Sequence, residues 1–195
     1  PFIISDYKLV LEKSNQIMEG LTYAMRAYGA KKGIVAIKKK YQELYEVLNA
    51  AKQNFKDFDI EIARVGNHYP QGWEIDAIKH ATGIKVPQGK LTAEYGVVDF
   101  NVTTLYGFYK AVKRRMPITE RFFSISGNGF KQPKNFLVRT GTAVRDLVAM
   151  SEGYTESDNK KVLVCGGPMM GTNLQTDDIV VTKTVTSLIA FEEEI

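Results

Sequence analysis

Apolar residues recur at two different periods along this chain, and the alternation between them predicts its architecture. From Asp6 to Tyr28, Ile17, Leu21, Met25 and Tyr28 return at helical spacing, with Ser5 and Ser14 as N-caps and Gly29 as the stop. Gly33–Ile37 (GIVAI) is a continuous run rich in β-branched residues, as expected of a strand covered on both faces. A second helix is predicted from Tyr41 to Gln53, burying Leu44, Val47, Leu48 and Ala51. Asp59–Val65 (DIEIARV) alternates apolar and polar residues, the period of a strand. A helix from Gly72 to Ala81, a loop with Pro and Gly, a brief strand at Gly96–Phe100 (GVVDF) and a helix from Val102 to Arg114 come next. Strands alternating with helices predict an α/β fold with a mostly parallel sheet and flanking helices.

The pattern changes after Met116-Pro117, and a domain boundary near Pro117 divides residues 1–116 from 117–195. Glu120–Ser126 (ERFFSIS) and Asn135–Gly141 (NFLVRTG) flank the turn signal Gly127-Asn128-Gly129, which predicts a hairpin with a long connection. A short helix, Thr142–Ser151, turns Val144, Leu147 and Val148 inward. Lys160–Gly167 (KKVLVCGG) is a further strand, Asp178–Thr182 (DIVVT) another, and Glu192–Glu194 an acidic tail. Strands around one helix in so short a span predict a small α+β unit of β-grasp type.

Charge and composition narrow the function. The net charge of +4 is spread over short runs such as Lys38-Lys39-Lys40 and Lys113-Arg114-Arg115, with no RNA-binding aromatic signature or zinc-finger spacing. These runs are read as solvated surface, the second of them complementing a helix dipole, and not as a nucleic-acid interface. An acidic partner or an anionic membrane surface stays open. No apolar run is long enough to span a bilayer. The single cysteine, Cys165, permits neither an internal disulfide nor a cysteine-ligated metal cluster built by this chain alone, and fits a reducing, cytoplasmic setting.

The candidate chemistry lies at two predicted helix starts. In Tyr69–Glu74 (YPQGWE), Pro70 suits a first helical turn, Gly72 leaves backbone amides accessible, and such a start receives a phosphate. Helix initiation alone also explains these residues, with Glu74 complementing the dipole. In Val97–Thr104 (VVDFNVTT), Asn101 directly follows a predicted strand, and Thr103 and Thr104 stand in the first turn. Asn101 is a good N-cap whatever its function. In an open parallel sheet, ligands bind beyond the carboxyl ends of strands, where such starts gather. The expectation is that the two starts border one cleft at one rim of the sheet.

YPQGWE, VVDFNVTT, ITERFFSISGNGFKQPKNFLVRTGT (Ile118–Thr142) and GGPMMG (Gly166–Gly171) succeed one another in an order that resembles RnfC, the soluble subunit of the Rnf electron-transport complex, over nearly the whole chain. RnfC is itself similar to the flavin-carrying, NADH-oxidising subunit of respiratory complex I. The resemblance implies a Rossmann-like flavin domain followed by a β-grasp domain of the soluble-ligand-binding (SLBB) kind. It also implies FMN and NAD(H) as cofactors, passage of electrons to iron–sulfur clusters, and other subunits of a membrane-bound or soluble electron-transfer complex as partners. The implied location is cytoplasmic, peripheral at the inner face of the cell membrane.

Carried over by position, Tyr69, Gly72 and Glu74 match a tyrosine, a glycine and an acid of the complex I protein, whereas Trp73 replaces an acid at the nicotinamide face. Asn101 and Thr104 match a segment whose side chains approach the flavin phosphate, and Phe100 replaces an asparagine there. The opening PFIISDYKLV resembles the segment just after the family's glycine-rich loop, and the family's cluster-binding cysteines lie after the β-grasp unit. The resemblance therefore implies a middle piece of a longer protein. Such a piece is expected to bind FMN weakly or not at all and not to retain FMN or NAD(H) on its own, and the iron–sulfur clusters belong to the full-length protein only. Two alternatives stand beside this one. One is an RnfC-like protein of a proline reductase or cobalamin reductase system, and the other a docking or ligand-binding module that has lost its cofactor.

Overall fold

A computed structural model describes residues 3–192. They form two compact units, one spanning Leu9–Arg115 and one running from Met116 onward together with the residues before Leu9. Glutamates 193 and 194 of the expected acidic tail lie outside the described residues, whereas Glu192 ends a strand.

In the first unit, α1 (Ser5–Tyr28) is broken at Lys13, one residue before the predicted cap Ser14. Its face carries Leu9, Val10, Ile17, Met18, Leu21 and Met25 into the core. Tyr28, expected on that face, is 59% exposed, and its ring tilts against Phe100 at 5.7 Å. β1 (Lys32–Lys38) and β2 (Asp59–Val65) pair in parallel, with Lys32 opposite Asp59 and Val35 opposite Ile62. The crossover between them is made by α2 (Gln42–Lys52), which buries Leu44, Leu48 and Ala51. The continuous apolar run of β1 is covered fully on one face only: Gly33, Val35 and Ile37 are buried, whereas Ala36 is exposed.

Two further helices carry the candidate residues. α3 (Glu74–Thr82) ends at Gly83, whose φ of 79° is the left-handed cap that glycine adopts without strain. α4 (Val102–Arg114) is held against α1 with no side chain between them at the point of closest approach. A Cβ on Gly20 would lie 1.9 Å from the Leu105 carbonyl oxygen, so only glycine allows this approach.

The stretch Gly96–Phe100 is not a strand. Thr92–Tyr95 forms a 3-10 turn closed by Gly96 in the left-handed region (φ 75°), and Val97–Phe100 has no ladder partner among the described residues. The β-branched pair Val97-Val98 carries strand propensity, but propensity makes no strand without a neighbouring edge to bond.

In the second unit, β3 (Glu120–Ser126), β4 (Lys134–Arg139), β5 (Lys161–Cys165), β6 (Thr172–Leu174) and β7 (Ser187–Glu192) form a mixed sheet in the order β4-β3-β7-β5-β6. β7 is central, parallel to β3 and antiparallel to β5. With α5 (Val144–Met150) packed on it, this is the β-grasp arrangement. Its core holds Phe123, Ile125, Leu147, Leu163, Val181 and Leu188. Asp178–Thr182, expected as a strand, makes only the single bridge Val180–Ala143. β6 and β7 are strands that the sequence pattern does not announce.

Candidate functional site

The α3 start is built by a turn and not by a first helical turn at Pro70. The Trp73 amide donates to the Pro70 carbonyl at 2.6 Å, and the Trp73 carbonyl accepts from Ala77 at 2.8 Å, so the helix begins at Glu74 with Trp73 as its N-cap. Trp73 has no side-chain acceptor for the amides of the first turn. Tyr69 and Trp73 are 55% and 54% exposed. A Cβ on Gly72 would meet nothing within 4 Å, so the fold itself does not require glycine there. Gly72 keeps the approach to Trp73 and Glu74 open from outside.

Beneath this turn, Gln71 is buried to 1% exposure, and its Nε2 lies 2.9 Å from His80 Nδ1. His80 Nδ1 is also 2.8 Å from the Asp76 carbonyl oxygen, which ties the turn to α3. Gln71 Oε1 has no partner and faces the Cα of Gly66, where an added Cβ would come within 2.6 Å of it. The histidines thus serve the loop's own packing, and among the described residues no three His, Cys, Asp or Glu side chains converge on a metal position.

The α4 start differs in charge. Asn101 caps it as predicted, its Oδ1 accepting from the Thr103 amide at 2.8 Å and from the Thr103 hydroxyl at 2.7 Å. No acid stands in its first turn, whereas Glu74 and Asp76 occupy that of α3. A phosphate is repelled by acids and attracted by the positive helix end, so of the two starts the α4 one opposes an anion less. At the Tyr69–Glu74 start, where a phosphate is expected, Glu74 and Asp76 are the charges that oppose one. Thr104 is half-buried in the same first turn, its amide bonded to the Asn101 carbonyl at 2.9 Å.

Two residues that sequence reasoning did not single out join these starts. The Thr92 hydroxyl donates to Glu74 Oε1 at 2.9 Å, and the Val97 amide donates to the Thr92 carbonyl at 3.2 Å. The chain thus passes from the α3 start through Thr92 to the segment leading into Asn101. Asp99 lies close enough to feel Glu74. Burial first, and then the negative charge of Glu74, raise the Asp99 carboxyl above its ordinary value, with the Phe100 amide opposing. Asp99 keeps an exposed surface, so solvent damps this effect. An acid flanked by apolar residues in VVDFN was the signal available in the sequence.

The sign of the Asp99 effect is open to test. A carboxyl whose folded pKa is raised favours the folded state below its unfolded value, and that contribution is lost as pH rises through the folded value. Asp99→Asn is therefore expected to raise the melting temperature slightly at pH 7 and to leave it unchanged at pH 3. A drop at pH 7 would show that the ionised carboxylate has a stabilising partner instead.

In the second unit, a depression of about 310 Å³ is lined by Tyr154, Lys161, Leu163, Gln175, Thr176 and Asp177. Tyr154, Lys161 and Asp177 are already engaged. The Tyr154 hydroxyl donates to Asp177 at 2.8 Å, an arrangement that with burial pushes the phenol well up, and Lys161 donates to the carbonyls of Ser157 and Asn159. Cys165 is half-buried in β5, and desolvation raises its thiol, the direction opposite to an activated nucleophile.

Comparison with known proteins gives these features a setting. Residues 1–110 match the model of the Nuo51 FMN-binding domain, and residues 122–173 that of the SLBB domain. A component of the proton-translocating ferredoxin:NAD(+) oxidoreductase complex of Clostridium ljungdahlii is 34% identical over 183 residues, covering 94% of this chain and 39% of the relative. The cobalamin reductase PduS of Salmonella typhimurium is 32% identical over 189 residues, covering 97% of this chain and 40% of the relative. The chain thus spans about two fifths of the length of these relatives. A solved NAD+-reducing [NiFe]-hydrogenase in the air-oxidised state shares the fold over 98% of this chain and 38% of its own, with a TM-score of 0.76 at 22% identity. Matched over more than half of its length, the chain belongs to the family of the Nuo51 FMN-binding domain, followed by an SLBB domain.

Proposed function

We propose that this chain is the cofactor-facing part of an RnfC-type electron-transfer protein that moves electrons between a nicotinamide dinucleotide, flavin and iron–sulfur clusters. The observation that carries this reading is the pairing of two unlike helix starts: an acid-free, Asn-capped one at α4 and an open, glycine-preceded one at α3. The family and the similarity to a component of a ferredoxin:NAD(+) oxidoreductase complex support it. FMN, when bound, supplies the exchange between hydride and single-electron chemistry.

The chain's own groups hold and orient. The positive end of α4 and the Thr104 hydroxyl take the phosphate end, while Asn101, which accepts from the Thr103 and Thr104 amides, keeps that turn in shape. Gly72 lets a ring approach the backbone, and the Glu74 carboxylate, steadied by Thr92, accepts from a ligand hydroxyl or amide. Tyr69 borders the same opening. FMN and NAD(H) are the ligands of this proposal, and the clusters belong to chain or subunits that supply more cysteine than Cys165 alone. Among the described residues no helix is long and apolar enough to cross a membrane. The similarity to cobalamin reductase PduS favours a second reading, in which the same cofactor wall serves cobalamin reduction.

FMN titration, followed by flavin fluorescence, tests the first reading. Weak saturable binding is expected, and Gly72→Val should weaken it about tenfold or more by filling the open approach, with no change in melting temperature. Unchanged affinity in Gly72→Val would remove this turn from the ligand site.

A further inference from the structure

Trp73 is the only tryptophan of the chain, and it stands at a position where burial gains little. The indole is 54% exposed, and among the described residues no ring or cation packs on it. Other aromatics of this unit pair with one another: Tyr28 with Phe100, Phe100 with Phe108, and Tyr106 with Tyr109. Yet its backbone is fixed on both sides, by the bonds to Pro70 and Ala77. A large, electron-rich face is thus presented to solvent from a rigid mount. Gly72, just before it, leaves the neighbouring space empty.

The helix turn that follows Trp73 is acidic. Glu74 and Asp76 stand in the first turn of α3, and the field of Glu74 extends to Asp99. Indole is the best of the aromatic faces for a cation, and adjacent carboxylates add to the attraction. A neutral ring gains only the stacking, and an anionic one is opposed. We propose that Trp73 is the stacking platform for the pyridinium ring of an oxidised nicotinamide, so that this site prefers the oxidised, positively charged form over the reduced one. The inference deepens the function proposed above and rests on it. It adds Trp73 as the residue that distinguishes the two redox forms of the dinucleotide.

The single indole N–H resonance in a 1H–15N spectrum of the 195-residue protein reads this contact directly. The probes are oxidised and reduced nicotinamide mononucleotide, with FMN in a separate arm. Saturable ring-current shifts of the indole resonance with the oxidised mononucleotide are expected, with affinity about fivefold above that for the reduced form. Read from the Gly72 and Thr104 amides, Trp73→Phe should keep more of the preference than Trp73→Leu, which retains only what the carboxylates supply. Equal or tighter binding of the reduced form overturns the inference. So does an indole shifted by FMN and not by nicotinamide, which would assign the platform to flavin. If the amides of Gly72 and Thr104 shift with ligand while the indole does not, the proposed function stands and this inference falls. If no resonance shifts with any probe, both fall.

Discussion

Replacing Gly20 with alanine is expected to destabilise the first unit by about 3 kcal/mol, although alanine is the better helix former by about 1 kcal/mol. The sign is decided by one distance. A Cβ at position 20 would stand 1.9 Å from the carbonyl oxygen of Leu105, and that atom belongs to a helix backbone that cannot rotate away. α1 and α4 must therefore separate by roughly 1 Å or more along their contact. Separation would strip packing from Ile17, Leu21 and Leu105, which are buried in or beside the contact. It would also shift the α4 start, because Asn101 lies one turn before Leu105 and its carbonyl accepts from the Leu105 amide at 3.2 Å. Chemical denaturation of Gly20→Ala against the parent measures the effect. A stabilised variant, as helix propensity alone requires, would show that the two helices do not touch.

The second large effect belongs to the β-grasp unit. Phe123 has no exposed surface and lies in the middle of β3, between β4 and the central strand β7. Phe123→Ala removes a whole ring from a core that also holds Ile125, Leu147 and Leu188. The loss combines transfer free energy with an unfilled cavity and is expected at about 3–5 kcal/mol. For a unit of this size that is a large share of total stability, so calorimetry should show its transition lowered by about 10 °C or more (about 4–8 °C per kcal/mol). A change under about 1 kcal/mol would mean that the site collapses around the missing ring or that Phe123 is not central to the core.

The elements legible in the sequence are those whose signal is local. The 3.6-residue period of α1, α2 and α4 is readable, as are the alternation in β2 and the turn at Gly127-Asn128-Gly129. β7 escapes because SLIAFE is a short, largely apolar run whose assignment depends on β3 and β5, both far away in sequence. GVVDF misleads in the opposite direction, since its β-branched residues follow a glycine held in the left-handed region and find no edge.

The site divides along the same line. Asn101 as a cap follows from residue type and place, and the structure has it so. The bond from Thr92 to Glu74 spans 18 residues, and no spacing rule reports it. Which of the two starts is the more acidic is legible in principle, because Glu74 and Asp76 are visible in the sequence. That reading needs the true beginning of α3, at Glu74 and not at Pro70 or Gly72.

Asn101→Asp decides whether the α4 start accepts the phosphate of a ligand whose ring lies toward Gly72 and Trp73. Aspartate caps a helix as well as asparagine does, while placing a negative charge beside the first-turn amides. The quantity to measure is the affinity of the variant for FMN and for riboflavin, which differ only in the phosphate. FMN binding should weaken about tenfold or more, with riboflavin binding and melting temperature unchanged. Equal effects on the two flavins, or none on either, would contradict a phosphate seat at Asn101–Thr104.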